Sequence, residues 1–171
     1  MTGTTTASLG GLLAALLVLY ANLRPWWTGN REMKLLAPFG KGLAGALAAA
    51  TCPGGILGWA RQRTGAVANS AGETVGKSAT GTTQTDTISG GQMAGLIGVG
   101  ALVAALMVFA VFLAWKNAGK KDRRRIVGGA FVGTVATLTA GGAGAFDWLP
   151  GALNGIGDAI VALAEGAKGI L

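Results

Sequence analysis

The chain has 171 residues, 51% of them hydrophobic, and 14 Lys and Arg against 7 Asp and Glu, for a net charge of +7. It contains no histidine, which removes the commonest general base and metal ligand. Its one cysteine, Cys52, excludes an intrachain disulfide, and this small residue is expected to be buried.

All charges lie outside four uncharged windows, 1–23, 42–60, 87–115 and 126–146. A helix needs roughly 20 apolar residues to cross about 30 Å of hydrocarbon, with every backbone polar group satisfied internally. A charge at its centre costs about 2.5–3.5 kcal/mol, so uncharged windows predict membrane spans. The expected architecture is all-α and polytopic, with four transmembrane helices as two hairpins plus a C-terminal amphipathic helix.

The N-terminal hairpin is expected over 1–60. Its tail, MTGTTTASLGG, has no basic stretch and does not resemble a cleavable signal peptide. The first span is short and leucine-rich, and Pro25 marks its exit by disfavouring helix at Arg24. The second span is mostly Gly and Ala, with Pro53 inside it. It either crosses or forms a re-entrant or interfacial segment, which would leave three spans.

Residues 61–92 are dominated by Gly, Ala, Ser and Thr and predict a flexible polar outer loop. Gly76-Lys77-Ser78 within it has the ending of a phosphate-binding loop. That loop requires a glycine at position 71, which is Ala71, so the match is coincidental.

The C-terminal hairpin is expected over 93–146, with a basic cytoplasmic loop. Residues 93–115 make the strongest span, and Ala101 and Ala105 lie on it as a weak small-residue stripe. The loop carries Lys116, Lys120, Lys121, Arg123, Arg124 and Arg125. Its simplest role is to orient the hairpin and attract anionic lipid of the inner leaflet, at about 1 kcal/mol per basic residue. Its other reading is weak, sequence-independent binding to DNA phosphates. On the last span Gly129, Gly133, Thr137, Gly141 and Ala145 recur every four residues, a spacing for close helix packing within the hairpin or between copies of the chain.

The C-terminal unit, 147–171, predicts an amphipathic helix from about Leu149. Asn154, Asp158, Glu165 and Lys168 share one face, and Ile156, Ile160, Leu163, Ala167 and Ile170 the other. It is expected in the outer interface, on the bundle or on a neighbouring subunit. Trp26, Trp27, Trp59, Trp115 and Trp148 each stand at or just past the end of an apolar window, where an indole meets the headgroups. Ten of the 14 basic residues fall in 24–41 and 116–125, so both segments are expected in the cytoplasm and both termini outside.

No catalytic, cofactor-binding or metal-binding constellation is evident, and the chain is not expected to be an enzyme. No carboxylate lies within a span, which argues against a coupled ion transporter.

The motifs Arg24-Pro25-Trp26-Trp27, Pro38-Phe39 and Gly54-Gly55-Ile56-Leu57-Gly58-Trp59 are similar to those of the hydrophobic spread (Spd-type) proteins of actinobacterial conjugative plasmids and integrating elements. The resemblance implies a small membrane protein of a mobile genetic element. Such a protein partners a DNA translocase and helps the element cross septal membranes, and some members bind DNA without sequence preference. No catalytic residue carries over. The competing readings are a holin-like pore former and a self-associating, pilin-like membrane subunit.

Overall fold

The computed structural model describes residues 7–29, 31–52, 54–81, 96 and 98–168. Within them the chain is all-helical, as predicted. The helices are α1 (Leu9–Thr28), α2 (Met33–Ala50), α3 (Gly55–Thr80), α4 (Gly98–Asn117), α5 (Lys120–Leu138), α6 (Ala140–Ala145) and α7 (Trp148–Lys168). Among the described residues α1 and α4 are each long and apolar enough to cross a membrane, and α2 with α3, as one bent unit, would add a third crossing. The chain is thus built for a membrane.

Ser8 caps α1, its Oγ accepting from the Gly11 amide at 3.1 Å. The helix runs through Pro25, past the exit expected at Arg24. Pro25 lacks a donor, but the Gly29 amide and the Thr28 hydroxyl close the last turn on the Pro25 and Arg24 carbonyls.

The second apolar window is not one helix. α2 stops at Ala50, and the Thr51 hydroxyl folds back onto the Ala48 carbonyl at 2.6 Å. Cys52 precedes Pro53, a position that avoids helical geometry. Gly55 takes φ +67°, and the chain turns by 116° into α3.

α3 corrects the expectation of a flexible loop over 61–92: the tract is helical to Thr80, and 82–92 lie outside the described residues. It has few large apolar side chains, but its small ones permit close approach. Gly72 lies against Gly10 so tightly that a Cβ on either would strike the other's backbone. Ala68 is buried beside them, and the Ser8 amide donates to Asn69 Oδ1 at 2.9 Å.

The basic segment is also more ordered than a loop. Ala118 and Gly119 alone separate α4 from α5, and Lys120–Arg125 form the first turns of α5. The fourth window divides at Thr139, an extended residue whose hydroxyl donates to the Ala136 carbonyl at 2.8 Å and accepts from the Gly142 amide at 3.1 Å. Only 126–138 of α5 is uncharged helix, about 20 Å at 1.5 Å per residue, short of a bilayer core. The four-residue stripe is broken with it, since Gly141 and Ala145 belong to α6.

Packing does not follow the two expected hairpins. α5 lies chiefly on α2, not on α4. The pair runs parallel, with Phe39 and Leu43 against Gly129 and Ala46 against Gly133. α1 completes this group, with Asn22 and Val18 at Gly128. Its core is Ala15, Phe39, Val132 and Val135, joined by Ala68 of α3. A second core, Ala48, Val103, Ala104 and Leu153, binds the opposite side of α2 to α4 and α7. α2 is the wall shared by both.

Candidate functional site

The parallel pairing of α2 and α5 brings their N-terminal ends together. Arg125 crosses between them, its Nη1 donating to the Leu35 carbonyl at 3.1 Å. The segments 24–41 and 116–125, separate in sequence, therefore share one end of the molecule.

The six cations of 116–125 do not behave alike. Arg123 turns back onto α4, its Nε donating to the Ala118 carbonyl at 2.9 Å and its Nη2 to the Lys116 carbonyl. Its guanidinium lies 5.5 Å from the Trp115 ring centre. Arg123 thus satisfies carbonyls that a helix C-terminus leaves open. Arg125 is half-buried and committed to Leu35. Lys116, Lys120, Lys121 and Arg124 are exposed. Asp122, in the first turn of α5, is placed where the helix dipole favours an acid.

The tryptophans cluster at helix ends. Trp26 and Trp27 meet edge to face at 6.4 Å near the end of α1, and Trp27 is exposed. Trp115 sits 6.0 Å from Phe112 near the end of α4. Trp59, in the first turns of α3, is exposed with the Arg63 guanidinium 5.7 Å from its ring, and Trp148, exposed, opens α7. Trp115 and Arg123 bring a ring to the basic end, a pairing the linear spacing did not reveal.

The small-residue stripe is split in use. A Cβ at Gly129 would strike the Phe39 carbonyl, and one at Gly133 would crowd Ala46 and Leu43. Thr137 is fully buried, its hydroxyl donating to the Thr134 carbonyl at 2.9 Å. Gly141 faces open space, and Ala145 is exposed. Gly129 and Gly133 therefore serve a contact with α2, outside both of the pairings the spacing suggested.

Gly76-Lys77-Ser78 stands near the C-terminal end of α3, the helix end that repels phosphate. On α7, Leu153 and Gly157 pack on α4 with Asn154 beside Gly100, while Ile156, Ile160 and Leu163 are exposed; Ile170 lies outside the described residues. Among the described residues no three His, Cys, Asp or Glu side chains converge.

Arg61, which directly follows the second apolar window, is drawn into the fold. It lies on α3, half-buried, and its Nη2 donates to the Thr137 carbonyl at 3.1 Å, closing the C-terminal end of α5. In the sequence it stands out as a basic residue at the end of an apolar window that the charge pattern assigns to the outer side, an exception to the positive-inside rule.

Comparison with protein-family models, curated proteins and solved structures returns no match.

Proposed function

We propose that the chain is a multi-pass protein of the bacterial cytoplasmic membrane that assists the transfer or spread of a mobile element's DNA. In this reading α5 and α6 together make the fourth crossing, both termini are outside, and the shared basic end of α4, α5, α1 and α2 faces the cytoplasm. The protein is non-catalytic, receives DNA from a translocase partner and holds its phosphates without reading sequence. The observation that carries the reading is the exposure of Lys120, Lys121 and Arg124 in the first turns of α5, just past the end of an apolar helix. The motifs shared with the spread proteins supply the biological setting.

The test is binding of duplex DNA by the detergent-solubilised chain across a salt series. Lys120→Ala, Lys121→Ala and Arg124→Ala together should weaken binding and flatten the log–log salt slope by about 2–3, at roughly 0.9 per phosphate contact. Arg123 and Arg125 are left intact because they hold the corner together. Absence of a shift at low salt, or a triple variant that binds like wild type, overturns the reading.

A lesion-forming, holin-like protein is the second reading, favoured by the exposed Ile156, Ile160 and Leu163 of α7. Gly129 and Gly133, which would join copies in a pore or a pilin-like filament, are already occupied by α2. Abrupt loss of membrane potential on controlled expression would select this second reading, and harmless expression would remove it.

A further inference from the structure

α4 and α5 are joined by two residues, yet α5 leans on α2 and α4 leans on α2 and α7. The space left between them is a crevice of about 280 Å³, close to the low end of the roughly 300–1,000 Å³ typical of ligand pockets. One wall is made of small residues, Gly42, Gly45 and Ala49 of α2 and Ala130 of α5. The opposite wall is Val111 and Trp115 of α4. The crevice extends from Trp115, near the basic end, to Arg61 and Thr64 on α3. Among the described residues that line it, Arg61 alone is charged.

Arg61 is electrostatically incomplete. A guanidinium has five N–H donors. The structure gives one acceptor to Nη2, the Thr137 carbonyl, while Nε is buried with no hydrogen-bond partner. A desolvated cation in the wall of an apolar slot selects a ligand with an anionic head and a hydrocarbon tail, since the head supplies the missing counter-charge and the tail fills the slot.

We propose that this crevice binds one anionic phospholipid, its phosphate on Arg61 and an acyl chain lying between α4 and α5 with its end toward Trp115. The site is separate from the basic end, and its ligand is lipid whatever the chain's role in DNA transfer.

Trp115 makes the site readable. With Trp26, Trp27, Trp59 and Trp148 replaced by Phe, the full chain is reconstituted in phosphatidylcholine. It is then titrated with phosphatidylglycerol or phosphatidylcholine brominated near the acyl terminus. Half-maximal quenching of Trp115 should need an about fivefold lower mole fraction of the anionic lipid, the equivalent of about 1 kcal/mol per charge contact. Arg61→Gln should abolish that preference, and Arg61→Lys should retain most of it. Lys120→Gln with Lys121→Gln and Arg124→Gln should leave it in place, which separates the crevice from general attraction at the basic end. Helicity by circular dichroism shows that each variant is folded; should Arg61→Gln fail to fold, the Lys120, Lys121, Arg124 variant and the wild-type lipid comparison carry the decision. Equal quenching by the two lipids in the wild type, or a preference lost with the three basic-end substitutions or kept in folded Arg61→Gln, overturns the proposal.

Discussion

At the scale of single residues, helices approach closely where a hydrogen stands for a side chain. Gly129 and Gly42 let α5 and α2 touch backbone to backbone, and a Cβ on either would collide with a carbonyl. Gly129→Ala should lower thermal or denaturant stability in detergent by about 1–3 kcal/mol, the usual penalty of overpacking. Gly141→Ala, on the same sequence stripe but facing open space, should be neutral or stabilising by up to about 1 kcal/mol. Equal effects at the two positions would refute this packing. The four-residue spacing made the stripe visible. It could not show that Thr139 would leave the helix to cap the next one, because a threonine serves either purpose and the choice is made by its surroundings.

At the scale of elements, α4 was the most legible. Its apolar residues run around the whole circumference, and Leu102, Leu106 and Phe109 remain more than half exposed in the folded chain. Such a helix has to be covered by lipid or by protein. Leu106→Lys should therefore weaken membrane insertion by about 2.5–3.5 kcal/mol, measured by glycosylation mapping of the inserted segment. In a water-soluble protein the same surface change would be harmless, so unchanged insertion would count against α4 as a span. α3 was the least legible. Its sequence reads as a linker because hydropathy registers large side chains, whereas α3 is held by Gly72, Ala68 and Asn69 fitting closely against the start of α1. The break between α2 and α3 was legible in part, since Pro53 is visible and the 116° turn is not.

At the scale of the whole molecule, two basic segments meet at one end although some 90 residues separate Leu35 from Arg125. Charge asymmetry indicated that they share a side. It could not indicate that α5 would choose α2 over α4, its neighbour in sequence. Orientation is testable in a Cys52→Ala background. Lys120→Cys should react with a membrane-impermeant maleimide only in inside-out vesicles, and Asp158→Cys only in intact cells. The reverse pattern would invert the proposed topology and take the basic end away from the cytoplasm.

The parallel seating of α2 on α5 has a consequence for how the chain is made. α2 leaves the ribosome first, with a surface too poor in large side chains to hold it firmly in hydrocarbon. Its mate follows on the order of 5–20 s later, for 90 residues at about 5–20 residues per second. Until then the nascent helix must be sheltered, whether by the insertion machinery or by α1 alone. Biogenesis of this protein should depend on such a holding step far more than that of a chain whose helices pair in the order of their synthesis.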